Sequence, residues 1–258
     1  MGRGPVIEQR RNITNAQKGK TFTIHAKLIT LAAQKGGDPD KNPALSDAIY
    51  KAKKDNVPNE NIARAIKKGT GEDKTGTQIQ EVFYEGYGAG GVGVIVKVLT
   101  DNKNRTASNI RHLFTKNGGS LGEAGSLSGF TFKFVGVCYI DITGKKLEEI
   151  EEFIIESGAS DYSQNDENTI KIITEKQSLK QVTGYLESKG LKIMEYNLEY
   201  MPVNTIEISD FEKAVKILKL VEELENDEDV ETVWFNYEMS EELEKQAKEA
   251  IENAKFRT

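Results

Sequence analysis

The side chains in this sequence best suited to chemistry are lysines and arginines near its start, and the chemistry they suit is phosphate binding. Residues 1–72 hold 14 Lys and Arg against 7 Asp and Glu, whereas residues 73–258 hold 21 against 34. The net charge of −6 therefore hides a basic segment of +7 before an acidic remainder of −13. Because affinity for a polyanion comes largely from releasing its condensed counterions, several cations on one surface are needed.

The candidate nucleic-acid-binding residues are Arg10, Arg11, Lys18, Lys20, Lys51, Lys53, Lys54, Arg64, Lys67, Lys68, Lys103 and Arg105. The last two begin a predicted helix in the acidic remainder, where they could equally balance acidic neighbours. For the others, the alternative is a solvated surface on which carboxylates four residues away use the charge, as in Asp47–Lys51 and Glu60–Arg64. Most lysines of this set have few such partners, which favours phosphate binding.

We do not predict that this segment recognises individual bases. Its only aromatic residues are Phe22 and Tyr50, and Phe22 falls on an apolar stripe. The pattern therefore offers no platform on which single-stranded bases would stack. No helix-turn-helix spacing stands out either. These features indicate that the segment binds mainly to the sugar–phosphate backbone. They slightly favour RNA or the ribosome over duplex DNA as the target.

Three short helices are predicted to position the cations. Apolar residues recur at helical spacing in three stretches, at residues 21–35, 42–55 and 58–69. Gly36-Gly37 ends the first helix, and Pro58 opens the third. Residues 1–20 are polar, basic and poor in apolar anchors, so they are predicted to form a mobile arm.

The remainder changes to alternating strand and helix patterns, which predict strands at residues 130–134 and 137–142 and helices at residues 147–156, 179–189 and 211–224. Residues 135–201 follow the order β-α-β-β-α-β, which is the ferredoxin-like arrangement. The sequence therefore predicts an α+β protein, with an N-terminal helical domain followed by two α/β domains, the ferredoxin-like one inserted in the other. The predicted segments are the basic arm with three helices (1–72), the middle domain (78–134 with 202–239), the ferredoxin-like domain (135–201) and a C-terminal helix (240–258).

Two glycine-rich stretches have different predictions. A nucleotide-binding loop needs a helix directly after it, but a strand follows Gly86–Gly91, so we predict a hairpin turn there. Gly118–Gly129 could bind an anion through backbone N–H groups or form a flexible connection.

Catalysis, metal binding and cofactor binding have little support. His25 and His112 lie in different predicted domains and, with Cys138, show no metal-ligand spacing. A lone cysteine on a strand is typical of packed core, although a pair of His112 with Cys138 stays open. We predict no enzyme, no cofactor and no membrane segment. The single cysteine and the absence of a secretory signal indicate the cytoplasm.

Several stretches, in order, resemble one family. They are GGDPDKNPAL, AKKDNVPNENIARAIKKGTG, YEGYGAGGVGVIV, LTDNKNRTASNIRHLFTKNGGSLGEAGS and FTFK. Together they resemble the YebC/PmpR family, which includes the mitochondrial translational activator of cytochrome c oxidase. The resemblance covers essentially the full chain and implies a helical N-terminal module with two α/β domains. At the N-terminus this chain reads GRGPVIEQRRNI where the family pattern resembles GHSKWANIKHRK, so it lacks that tryptophan and those histidines.

The resemblance implies regulation of gene expression, carried by the basic residues from Lys18 to Lys68. One hypothesis is a transcriptional regulator that binds DNA. The alternative is a ribosome-associated translation factor that contacts ribosomal RNA and eases synthesis of difficult stretches such as proline runs. A third possibility is a scaffold that binds a protein partner through the acidic α/β domains.

Overall fold

The computed structural model describes residues 15–73 and 78–255, with side chains from residue 19 onward. Arg10, Arg11 and the side chain of Lys18 lie outside the described residues. Leu127–Thr205 forms one compact unit, and the described residues on either side of it in the sequence form a second. The α+β class is confirmed, with helices preceding the sheets. The finer division into four segments stays a prediction.

The elements follow the chain in this order: α1 (Asn15–Ala33), α2 (Pro43–Lys54), α3 (Asn59–Thr70), β1 (Gln80–Tyr87), β2 (Gly93–Thr100), α4 (Lys103–Lys116), β3 (Ser120–Leu121), β4 (Phe132–Asp141), α5 (Leu147–Glu156), β5 (Asp161–Asp166), β6 (Thr169–Glu175), α6 (Leu179–Ser188), β7 (Lys192–Pro202), β8 (Ile206–Glu207), α7 (Phe211–Asn226), β9 (Val230–Phe235), β10 (Tyr237–Glu238) and α8 (Glu241–Lys255).

Helices α1, α2 and α3 pack around a small apolar core that includes Ile29, Leu45 and Ile62. The Asn42 side chain caps α2 by accepting from the Leu45 N–H at 3.2 Å, and its amide donates to carbonyls at the end of α1 and just after it. Gly69 lets α3 approach α1 closely, because a Cβ there would lie 2.4 Å from the Thr30 carbonyl oxygen. The module that carries the cations is therefore fixed by side-chain packing and not only by helix propensity.

The same unit contains a four-stranded antiparallel sheet in the order β3-β1-β2-β9. One face of β2, with Val94, Val96 and Val98, packs with Phe114 of α4 and Leu224 of α7. Alternation along a buried strand explains why these valines stand at every second position. Strands β8 and β10 form a separate parallel pair.

The unit Leu127–Thr205 contains a ferredoxin-like sheet in the order β5-β6-β4-β7, with all neighbours antiparallel. Its core contains Cys138 and Ile172 from the strands, with Ile154 and Leu186 from the two helices. The predicted β-α-β-β-α-β order is thus confirmed by the sheet pairing.

Two details of the strand prediction were wrong. The sequence pattern separated strands at 130–134 and 137–142, but β4 runs unbroken through Gly136. This glycine is a packing residue, since a Cβ there would lie 2.4 Å from Thr174 Oγ1. The glycine-rich segment 118–129 also contains a short strand, β3, which pairs with the end of β1.

Candidate nucleic-acid interface

Helix α2 carries its cations in the last turn, where positive charge stabilises the negative end of the helix dipole. Lys51 forms the predicted ion pair with Asp47, with 3.4 Å between the charged atoms. Lys53 and Lys54 are exposed. At 100° per residue, Lys51 and Lys53 lie on different sides of α2, so the helix does not present its three lysines on one face.

A groove runs between α2 and α3 and has a volume of about 450 Å³. We call it the α2–α3 groove. Its lining residues are Pro39, Ser46, Ile49, Tyr50, Lys53, Asn59, Ile62, Ala63 and Ile66. Lys53 is the one cation among them, and Tyr50 is 61% exposed. An accessible ring thus lies beside a lysine, while the prediction that the basic segment lacks a platform for stacked bases stays a prediction.

Helix α3 adds exposed cations at Arg64 and Lys67 and a half-buried one at Lys68. Lys67 follows Ala63 by four residues, so it lies one turn further along the groove side of α3. The competing ion pair of Glu60 with Arg64 is not formed. Lys53, Arg64, Lys67 and Lys68 have no carboxylate partner anywhere in residues 15–73 and 78–255.

The described lysines of helix α1 form hydrogen bonds with other parts of the chain. Lys20 donates to the backbone carbonyl of Glu225 at the end of α7. Burial lowers the pKa of Lys20, although the nearby carboxylates of Asp227 and Glu225 act in the opposite direction. Lys27 donates to Asp229 Oδ1 at 2.7 Å and to the Glu228 carbonyl at 2.8 Å. These contacts hold α1 against the segment that leads into β9.

Asp229 also accepts hydrogen bonds from two side chains at the start of α4. Arg105 donates to Asp229 Oδ2 at 3.1 Å and to Asp101 at 2.9 Å, and Thr106 donates to Asp229 Oδ2 at 2.7 Å. Burial raises the pKa of Asp229, but the hydrogen bonds from Lys27, Thr106 and Arg105 outweigh it and leave the pKa below its usual value. Arg105 thus serves an internal network, while its neighbour Lys103 is exposed.

Sequence reasoning did not single out Lys27, Asp229 or Tyr50. Lys27 and Asp229 are 202 positions apart, so no local pattern could pair them. Tyr50 had a local signal, because it stands three residues before Lys53 at helical spacing. Its exposure depends on how α2 packs against α3, which the sequence pattern alone does not give.

The glycine-rich stretch after α4 is held by the polypeptide itself. Glu85, which is 6% exposed, accepts from the Gly125 N–H through its carboxylate at 3.0 Å and from the Gly122 N–H through its carbonyl at 2.8 Å. These two amides face acceptors of the protein and not an external anion. At Gly86–Gly91 a short turn connects β1 to β2, as predicted.

The remaining candidate chemistry has weak structural support. Cys138 is fully buried, and burial raises its pKa to about 12, so the thiolate is scarce at neutral pH. In residues 15–73 and 78–255, no three His, Cys, Asp or Glu side chains group so as to hold a metal ion. None of the described helices has the length and apolar character to cross a membrane.

Known proteins resemble this chain along nearly its whole length. Residues 4–72 match the TACO1/YebC protein N-terminal domain, and residues 79–237 match the TACO1/YebC second and third domain. A "Probable transcriptional regulatory protein" of Persephonella marina is 46% identical over 92% of this chain and 94% of its own. Another of that name, from Thermoanaerobacter pseudethanolicus, is 45% identical over 92% of this chain and 95% of its own.

A solved structure gives the same result. The crystal structure of a conserved hypothetical protein from Aquifex aeolicus has a TM-score of 0.78 and 42% sequence identity. The match covers 88% of this chain and 93% of that one. The resemblance read from the sequence is confirmed: the chain belongs to the TACO1/YebC family.

Proposed function

We propose that this chain regulates gene expression in the cytoplasm by binding nucleic acid through the cations of α2 and α3. The proposal depends mainly on Lys53, Arg64 and Lys67, which are exposed and have no carboxylate partner among the described residues. Lys27 and Arg105, by contrast, pair with Asp229. A polyanion gains most from cations that no internal carboxylate already neutralises, because those release counterions on contact.

Duplex DNA is the first candidate target. Relatives that are 41–46% identical carry the name "Probable transcriptional regulatory protein", which supports a role in transcription. The names describe regulators and not enzymes. Contacts from a few lysines and arginines to phosphates would provide affinity without sequence information. Lys103 would supply a further phosphate contact from the start of α4.

Ribosomal RNA on the ribosome is the second candidate. The exposed ring of Tyr50 favours it, since unpaired bases are common in folded RNA and stack on aromatic side chains. A protein partner for the acidic α/β part of the chain stays a prediction from composition.

A paired binding experiment tests the proposal. The full chain would be titrated against duplex DNA in a gel shift and against ribosomes in co-sedimentation. We expect the double variant Lys53→Glu, Lys67→Glu to lose whichever signal the wild type shows. The control, Lys146→Glu with Lys180→Glu, makes the same change in net charge at exposed positions of the ferredoxin-like unit. If the first double variant binds both targets as well as the wild type does, this surface is not the interface.

A further inference from the structure

The α2–α3 groove combines three chemical features that together fit one ligand. It has an apolar floor with Ile49, Ile62 and Ile66, an exposed aromatic ring at Tyr50, and a cation at Lys53. Its volume of about 450 Å³ falls within the range of about 300–1,000 Å³ typical of small-ligand sites. A groove of this size holds one planar group and not a long segment of chain.

The ring and the cation are adjacent. Tyr50 and Lys53 are three residues apart on α2, so their side chains are neighbours on the helix surface. A flat group stacked on Tyr50 would therefore carry a linked anionic group to the Lys53 ammonium. Lys67, one turn beyond Ala63 on the opposite helix, lies toward the other end of the groove, because the end of α3 at Ile66 and Thr70 packs near Gly37, just before α2. Lys67 would therefore meet the phosphate on the other side of the stacked nucleotide.

Polar atoms at the rim complete the match. Ser46 and Asn59 line the groove from α2 and α3, and their side chains offer both donors and acceptors of hydrogen bonds. Neither side chain donates to or accepts from another described residue. A planar group with donors and acceptors on its edge, joined to a chain of phosphates, is a nucleotide base.

We propose that the α2–α3 groove binds one unpaired nucleotide, whose base stacks on Tyr50 and whose phosphate contacts Lys53. The proposal rests on the nucleic-acid binding proposed above and names the form of the ligand. An unpaired base exposes its face and edge, whereas a base in a duplex is stacked on both sides and cannot enter. Single-stranded RNA and single-stranded DNA share this chemistry.

An apolar helix of a partner protein fits the groove less well. Such a helix would need several exposed apolar anchors along the groove. In residues 19–73, Tyr50 is the one large hydrophobic side chain among the strongly exposed ones, and Ile62 is only 5% exposed. The isoleucines of the floor already belong to the core of the three-helix module or pack against it. The positive rim also matches phosphates directly.

Fluorescence anisotropy with the full chain tests this inference. The probes are a fluorescein-labelled uridine 12-mer, a thymidine 12-mer and a hairpin whose nucleotides are all paired because its loop is a non-nucleotide linker. Stacking on an aromatic side chain contributes about 1–3 kcal/mol per base, so Tyr50→Ala should weaken binding of a 12-mer by about 5-fold to about 150-fold. Binding of the hairpin should stay within about 2-fold of wild type, since phosphate contacts alone carry it.

Two matched variants keep the result interpretable. Tyr50→Phe retains the ring and should bind the 12-mers like the wild type. Phe211→Ala removes an aromatic side chain that is 45% exposed at the start of α7, and it should leave all three affinities unchanged. A larger effect of Tyr50→Ala on the uridine than on the thymidine 12-mer would assign the nucleotide to RNA, and the reverse would assign it to DNA; both results support the proposal.

The outcomes separate this inference from the proposed function. If Tyr50→Ala binds both 12-mers like the wild type while Lys53→Glu with Lys67→Glu abolishes binding, the groove proposal is overturned and the cationic interface stands. If the double charge reversal changes none of the three affinities, the proposed function itself fails. A third outcome would assign the groove to a protein partner and make the proposal wrong. In that outcome an acidic amphipathic peptide binds the wild type but not Tyr50→Ala, while the affinity for the 12-mers is the same for both proteins.

Discussion

Removal of Asp229 should destabilise the unit that carries the basic helices. Its carboxylate is 14% exposed and accepts from Lys27, Arg105 and Thr106, which come from α1 and α4. The change to test is Asp229→Ala. It leaves the Lys27 ammonium, whose side chain is 17% exposed, without its carboxylate partner. No other described carboxylate joins these two helices in this way.

The expected loss of stability depends on which hydrogen-bond acceptors Lys27 and Arg105 keep in this variant. Removing one partner of a buried ion pair costs about 3–5 kcal/mol. Lys27 keeps the carbonyl of Glu228, and Arg105, with a side chain that is 57% exposed, keeps Asp101. We therefore expect a loss of about 2–4 kcal/mol in the free energy of unfolding. With a urea dependence near the top of the usual range, about 3 kcal/mol per molar, the midpoint should fall by about 1 M.

Trp234 supplies the assay. It is the only tryptophan of the chain and lies in β9, five residues after Asp229 and in the same unit. Its fluorescence during urea unfolding therefore reports on this unit even if the ferredoxin-like unit unfolds separately. Lys41→Ala is the control, because it removes an ion pair whose lysine side chain is 86% exposed and should change stability by less than about 1 kcal/mol.

The pH dependence gives a second test of the same residue. The folded-state pKa of Asp229 lies below its usual value of about 3.9, so its contribution is present above that pH. The stability gap between wild type and Asp229→Ala should hold from neutral pH down to about pH 5 and shrink as the pH falls below about 4. A gap no larger than that of Lys41→Ala, or one that grows in acid, would refute the role of this carboxylate.

Three other predictions concern packing and chemistry. Gly69→Ala should lower the melting temperature of its unit, because the new Cβ would lie 2.4 Å from the Thr30 carbonyl and overpacking costs about 1–3 kcal/mol. Gly184→Ala in α6 has open space and should raise the melting temperature of its own unit, as calorimetry can check. Cys138 should resist iodoacetamide at pH 8 in the native chain and react readily in urea; equal labelling rates by mass spectrometry would contradict its burial.

The fold could be predicted from the sequence wherever the signal is local. Hydrophobic spacing gave α5 its observed bounds, Leu147–Glu156, and gave the start of α6 and of α7. Gly136 misled the prediction because a glycine interior to a strand looks like a break, while its actual role is to admit Thr174 and Leu179. The strand order of the other sheet, β3-β1-β2-β9, came only with the structure, since its pairing joins residues far apart in the sequence.

The candidate site could be predicted only as a set of charges. Composition located the cations, but it could not show that Lys51 pairs with Asp47 or that Arg105 serves Asp229. Whether a lysine is available to a ligand depends on carboxylates brought near by tertiary packing. The same holds for Tyr50, whose exposure depends on how α2 packs against its neighbours. The sequence therefore indicates the type of ligand, and packing selects the residues that can reach it.

The salt dependence of binding tests the central claim most directly. The affinity of the full chain for its better nucleic-acid target would be measured over a series of salt concentrations. Each phosphate-contacting lysine contributes about one unit to the slope of log affinity against log salt. We predict that Lys53→Glu with Lys67→Glu, measured at low salt where its binding is still detectable, reduces the magnitude of that slope by about 2, while the control Lys146→Glu with Lys180→Glu leaves it unchanged. Equal slopes for the two double variants would contradict the assignment of the interface to α2 and α3.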